Sequence, residues 1–204
     1  MDIPAHFKME DTVEIRTFVK AHPFGMLLSN GSQVPDVTHL PLQLMTDDEG
    51  NDSINIHLSK ANPHTKVLEN GVSALAVFLG TNGYISPRWY AEKYKVSTWN
   101  YTAVLAFGTL RKIENEDELM TLVDQLTIEH EADAESPWSA DWSVEKIRKM
   151  LNAIVGFELK VDRWEGKKKI GQNRSAEDQA SLKRNLEKSI DPTYQFLAQQ
   201  MKKY

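Results

Sequence analysis

The stretch from Gly83 to Tyr101, GYISPRWYAEKYKVSTWNY, sets Tyr84, Trp89, Tyr90, Tyr94, Trp99 and Tyr101 within 19 residues, beside Ser86, Arg88, Thr98 and Asn100. The chain has only 7 Phe, 5 Trp and 6 Tyr in 204 residues, so six in one such stretch call for a physical reason. Flat rings next to an Arg and several polar tips suit a recess for a planar ligand, since ligand sites are mostly apolar with a few placed polar groups. The same rings suit a core or a subunit interface, where large side chains carry most of the burial energy. Residue types alone favour that reading, because core aromatics are common.

Two further places suit an anion. Ser59-Lys60 stands just before a helix expected from Pro63, whose free N–H groups and dipole would favour a phosphate. Lys167-Lys168-Lys169 with Gln172-Asn173-Arg174-Ser175 also leads into a helix. Taken singly, either place reads somewhat more readily as a solvated basic loop. The six histidines, at 6, 22, 39, 57, 64 and 130, lack close ligand spacing and read as surface or core residues rather than metal ligands. No nucleotide glycine motif, P-loop, His-Glu-x-x-His helix or nucleophile elbow is present, and no side chain stands out as catalytic.

The elements that must position these residues are legible in outline. Asp11 with Glu14 forms a capping-box pattern opening a helix that His22-Pro23 stops. Phe24 to Ser29, a tight Asn30-Gly31 turn with positive φ, and a run from Val34 to Leu44 predict a hairpin, with Pro35 and Pro41 at an edge or bulge. Ile54 to Leu58 alternates as a strand. Asn62 caps a helix that Gly71 ends, and Val72 to Leu79 is a buried strand. Trp99 to Ile113 reads as one strand with a bulge at Gly108. Leu119, Leu122, Val123 and Leu126 mark one helix, and Ile147 to Ile154 another after a Ser143 cap. Val155 to Trp164 is a strand, Glu165-Gly166 a turn, and Lys167 to Ile170 a return strand. Ser175 caps a helix to about Lys188, and Pro192 begins the last. Strands and helices mix without βα alternation, which predicts an antiparallel sheet with helices outside it.

Composition bounds the rest. With 41% hydrophobic residues the chain fills a real core, and with no Cys it has no disulfide, thiolate metal site or Cys nucleophile. The N-terminus, MDIPAHFKMED, has no signal-peptide pattern, and no apolar run is long enough to span a bilayer, so the expected place is the cytoplasm with no membrane partner. Net charge is −5, but Lys160 to Lys188 holds nine basic residues against five acidic ones, a local patch able to meet phosphate.

Seven motifs occur in order along nearly the whole chain: Ile3-Pro4 with Phe7, Thr38-His-Leu-Pro-Leu42, His57-Leu-Ser-Lys-Ala-Asn-Pro-His64, Tyr84-Ile-Ser-Pro-Arg-Trp-Tyr90, Thr98-Trp-Asn-Tyr101, Ile154-Val-Gly-Phe157 and Gln172-Asn-Arg-Ser175. In this series the chain resembles the PaiB-type FMN-binding proteins. The resemblance implies an α+β fold, an antiparallel Greek-key split β-barrel with flanking helices. It implies one domain over 1–204 with a helical C-terminal extension from about 175, and a homodimer holding FMN at the subunit interface. By position it implies Ser59 and Lys60 at the phosphate and His39 and His57 beside the ribityl chain. Arg88, Trp99 and Asn100 would line the ring or the opposing subunit, and Asn173 and Arg174 complete the expected flavin contacts. The family's role is negative transcriptional regulation of protease production and sporulation. Wider split-barrel relatives include flavin reductases, pyridoxamine phosphate oxidases and haem-degrading enzymes.

The chain departs from the pattern at Ser97, where the family has Pro, at Leu105, where a His follows, and at Gly171, where Ser precedes Gln-Asn-Arg. Three readings therefore stand: an FMN-binding regulator, an FMN-dependent oxidoreductase, and an interaction protein without flavin. DNA contact, through the basic C-terminal segment, belongs to the first of them.

Overall fold

Asp11 starts the first helix, α1 (Thr12–Ala21), by accepting the Val13 N–H at 2.8 Å, and Ile15 and Val19 face inward. Glu14 does not complete a capping box; it accepts from Lys168 Nζ at 2.7 Å. The computed structural model describes residues 1–201. Its strands are β1 (Lys8–Met9), β2 (Phe24–Ser29), β3 (Asp36–Pro41), β4 (Gln43–Thr46), β5 (Asp52–Ser59), β6 (Ser73–Ile85), β7 (Thr98–Ile113) and β8 (Ile154–Lys169). They form a single sheet in the order β3-β2-β6-β7-β8-β5-β4, with β1 added on β8. The remaining helices are α2 (Glu116–Glu131), α3 (Glu145–Met150), α4 (Ala176–Glu187) and α5 (Pro192–Gln200). The class is the expected α+β, an antiparallel split-barrel sheet with flanking helices.

The chain divides into two units. Unit 1 takes Met1–His22, Phe78–Leu105 and the residues from Glu165 on; unit 2 takes Pro23–Val77 and Ala106–Trp164. In unit 2, β5 buries Ile54, Ile56 and Leu58 and turns Asn55 and His57 to the other face, as a period of two requires. Only Leu42 separates β3 from β4, yet these strands end the sheet order on opposite sides. One bent segment thus supplies both edges, which is how a curled sheet avoids leaving them open. The Leu42 N–H donates to Pro23 O at 2.8 Å, and the Leu42 side chain is buried. A cluster of Ile113, Leu119, Leu122 and Leu151 seats α2. In unit 1, α4 and α5 bury Leu182, Leu186, Leu197 and Ala198 with Ile85, Tyr90 and Ile170.

Several sequence expectations give way. Gly31 carries no positive φ, and the link between β2 and β3 is a six-residue loop, since Ser29 pairs with Asp36. The helix from Pro63 is a single 3-10 turn, Pro63–Lys66, although Asn62 does cap it by accepting the His64 N–H at 3.0 Å. Gly108 lies within the unbroken β7, where a Cβ would be 2.0 Å from Lys160 O, so glycine permits close approach of backbone. Glu165-Gly166 does not turn, because β8 continues and pairs Gly166 with Met9 of β1. Ser143 bonds Asp141 instead of capping α3, which starts after Val144.

Candidate functional site

Of the nine residues expected to touch a flavin, His39, His57, Ser59 and Lys60 belong to unit 2 and Arg88, Trp99, Asn100, Asn173 and Arg174 to unit 1. In unit 2, His39 is exposed on β3 opposite Met26, and His57 is half-buried on β5 opposite Gly156. β3 pairs with β2, and β5 with β4 and β8, so these histidines are not on hydrogen-bonded neighbours. Burial holds the His57 imidazole below its ordinary pKa.

Ser59 and Lys60 end β5 on the surface, Ser59 Oγ accepting the Ala61 N–H at 3.2 Å. The single 3-10 turn that follows has none of the aligned dipole of an α-helix, which removes the helix-mouth argument for phosphate there. Lys60 borders instead a cavity of about 360 Å³ with Asn152, Ile154 and Val155 and the start of α2, around its Asn115 cap. Its N–H donates to Ala153 O at 2.8 Å, which fixes the backbone there.

His64, which the spacing assigned to no particular role, is the organising residue of this corner. It is buried, with Nε2 2.9 Å from Ser29 Oγ and Nδ1 2.9 Å from Thr38 Oγ1. Asn62 Nδ2 donates to that same Thr38 oxygen at 3.1 Å; a Thr38 hydroxyl that donates in turn to Nδ1 goes with a neutral ring carrying its proton on Nε2, toward Ser29. Burial accordingly lowers the His64 pKa, against a smaller pull upward from Asp36.

In unit 1 the aromatic stretch splits between core and surface. Tyr90 is buried and Trp89 packs edge-on against Tyr194, with ring centres 5.9 Å apart. Trp99 is 55% exposed and meets Tyr84 edge-on at 6.2 Å. Tyr94 is fully exposed with φ 64°, in the left-handed region that a tyrosine seldom adopts. Trp99 and Tyr101, on one face of β7, line a groove of about 240 Å³ with Leu79, Asn82 and Thr102. Asn100 alternates to the other face and is only 2% exposed. Arg88 is exposed and donates through Nε to Ser86 Oγ at 3.2 Å.

The basic segment is largely committed within the chain. Lys167 Nζ donates to Asp2 O at 2.7 Å, Lys168 pairs with Glu14, and Lys169 Nζ donates to Thr98 Oγ1 at 2.5 Å. Burial lowers the Lys169 pKa. Asn173 is exposed, and the Arg174 guanidinium lies over Tyr90 at 5.2 Å. The α4 terminus that was to bind an anion is already served by Ser175, whose Oγ accepts the Asp178 N–H at 3.2 Å. Asp178, 1% exposed, then accepts the Ala91 and Glu92 N–H groups at 2.8 and 3.0 Å. It ties the aromatic loop to α4, a role that a first-turn acid does not announce.

A flavin needs a flat apolar face, hydrogen-bonding partners for the polar edge of its ring, and a cation for its phosphate. In unit 1 Trp99 and Tyr101 offer such a face, and in unit 2 Lys60 is an exposed cation, each taken by itself. Thr102 Oγ1, which lines that groove, is buried without a hydrogen-bond partner among the described residues, so it can serve the polar edge of a ring there; Asn100 Nδ2 is unpartnered too, but on the opposite face of β7. The residues present fit FMN in kind. A separate cavity of about 630 Å³ in unit 2 contains none of the nine; its Arg111 is held by Glu118 and Glu158.

The family described as "Putative FMN-binding domain" matches residues 1–163. The chain is 31% identical over 205 residues to Protease synthase and sporulation protein PAI 2 of Bacillus subtilis, covering 98% of this chain and 96% of that protein. It is 33% identical over 117 residues to an uncharacterised protein of Saccharomyces cerevisiae, covering 53% of this chain and 69% of the other. Among solved structures, the FAD and Heme binding protein from Mycobacterium smegmatis superposes with a TM-score of 0.64 at 19% identity, over 85% of this chain and 79% of that one. The flavocytochrome Anf3 from Azotobacter vinelandii gives 0.57 at 20% identity, over 85% and 75%. The structural likenesses show a shared fold; the match of residues 1–163 goes further, and the chain belongs to the FMN-binding family, with FMN the cofactor which that membership assigns to it.

Proposed function

We propose that this chain is a PaiB-type, FMN-binding regulatory protein that works as a cytoplasmic homodimer. The observation that carries the reading is its end-to-end similarity, over 98% of its length, to a sporulation protein of Bacillus subtilis. The groove at Trp99 and Tyr101 would take the flavin ring, Thr102 would hydrogen-bond its polar edge, Asn100 would support the site from the opposite face of β7, and Lys60 would pair with the phosphate. His39, His57, Ser59, Arg88, Asn173 and Arg174 are the further contacts of this reading, within one domain made of both units. Bound FMN would supply one- and two-electron redox chemistry, while the protein sets position and electrostatics. No helix among the described residues is long and apolar enough to cross a membrane. With Lys167, Lys168 and Lys169 engaged inside the chain, Lys183, Arg184 and Lys188 along α4 are the basic surface offered to DNA.

Reconstitution tests the reading. FMN should bind in the micromolar range with quenched flavin fluorescence, and Lys60→Ala should weaken it about ten- to a hundredfold while riboflavin affinity stays put. That is the loss of one charge-assisted hydrogen bond to phosphate. No FMN binding by calorimetry would leave the flavin-free interaction protein. DNA binding that weakens with salt at a log–log slope of about −0.9 per phosphate contact supports the regulator. Steady NAD(P)H oxidation without any DNA shift at low salt would replace it with an oxidoreductase.

A further inference from the structure

We infer that the recess beside α1 in unit 1 is a second binding site, for a small amphipathic aromatic amine without phosphate. A cavity of about 530 Å³ lies between Val13, Phe18 and Ala21 of α1, Met9, Thr102 of β7 and Gln200 of α5. That size falls within the range of small-molecule sites, and the apolar side chains suit a planar hydrocarbon body. Two polar side chains on its wall are incompletely satisfied. Thr102 is 3% exposed, and neither its Oγ1 nor Gln200 Oε1 has a hydrogen-bond partner among the described residues. An amide oxygen accepts only and a hydroxyl does either, so the group that completes them carries an N–H. The rim decides the charge. Asp11 and Glu14 stand there with Lys168, which pairs with Glu14 at 2.7 Å, so the lining residues carry a formal excess of one negative charge, on Asp11, which also accepts the Val13 N–H. A cation is drawn to such a rim and a phosphate repelled, which separates this site from the one for FMN.

Thr102 also lines the groove of Trp99 and Tyr101. The occupant therefore sits next to the position proposed for the flavin ring; only this adjacency rests on the flavin reading, and the cavity and its charge do not.

Tryptamine, indole and indole-3-acetate carry one ring system, an N–H each, and three different charges. Calorimetry on the full chain, without flavin and with saturating FMN, should give the order tryptamine, indole, indole-3-acetate, the first and last differing by about tenfold or more, as one favourable charge contact implies. Thr102→Val, which keeps the shape, and Ala21→Trp, which fills the cavity from an exposed helix position, should each lower tryptamine affinity by about tenfold. FMN titrated into Ala21→Trp should bind as in the wild type. Equal affinities for the three probes, indifference to both substitutions, or displacement of tryptamine by FMN would overturn the inference. So would tryptamine binding that fades as protein concentration rises, because a second copy would then occupy the recess. Loss of FMN binding with tryptamine binding intact would refute the flavin reading alone.

Discussion

Asp178→Ala should cost this protein about 3 kcal/mol. The carboxylate Oδ1 accepts two backbone N–H groups, from Ala91 at 2.8 Å and Glu92 at 3.0 Å, and Lys95 Nζ stands 4.0 Å from Oδ2. A hydrogen bond to a charged acceptor nets about 1.5–3 kcal/mol. Ala91 and Glu92 are themselves exposed, so their N–H groups regain water once the acid is gone, which places the pair at the lower end of that range. For a chain of this size about 3 kcal/mol lowers the melting temperature by roughly 6–12 °C. Asp178→Asn keeps an acceptor oxygen and loses only the charge, so it should fall about halfway. Glu177→Ala, one residue earlier on the exposed side of α4, should leave melting near wild type. Hydrogen exchange gives the local readout: the Ala91 and Glu92 amides should exchange much faster in Asp178→Ala. Melting within about 2 °C of wild type, with those two amides still protected, would refute the anchoring role.

Stability should also depend on pH through the buried histidines. Burial depresses the His64 and His57 pKa values below 6.5, so in the folded protein they stay neutral where the unfolded chain would protonate. Their contribution is complete above about pH 6.5 and is lost as pH falls through the native values. Urea midpoints measured from pH 8 to 5 should decline, and His64→Gln should flatten the decline; an unchanged slope would contradict the neutral network with Ser29 and Thr38. Gly108→Ala should destabilise by at least about 3 kcal/mol, because a Cβ placed 2.0 Å from Lys160 O meets backbone that cannot move aside. A denaturation midpoint near wild type would show that β7 and β8 can separate there.

Local signals in the sequence were read correctly where a single side chain decides. Asp11, Asn62 and Ser175 cap as their types suggest, whereas Ser143 bonds Asp141 instead. Glycine misled wherever its reason lay elsewhere in the chain. Gly80 and Gly83 look like the end of a strand, yet β6 runs through both: a Cβ on the first would meet Phe18 at 2.7 Å, and on the second Tyr194 at 2.6 Å. Glu165-Gly166 looks like a turn only while its partner Met9, far away in sequence, is unknown. The aromatic stretch was legible as a cluster, but not its division. That Tyr90 is core depends on α4 and α5, which arrive about 80 residues later or more. His64 and Asp178 stayed unassigned because their partners, Ser29, Thr38, Ala91 and Glu92, follow no motif spacing.

The pairing of β1 with β8 sets Lys8 opposite Lys167, and unit 1 gathers three stretches separated by most of the chain. During synthesis, residues 1–22 therefore leave the ribosome long before their strand partner β8 exists, while every residue of unit 2 lies at or before Trp164. Closing such long loops is slow, and strand edges left waiting invite association with other chains. The half of the molecule carrying Trp99, Asn100 and the α1 recess is thus the last to form, and a ribosome stalled near residue 164 would release a chain without its β1 pairing or the α4–α5 cover.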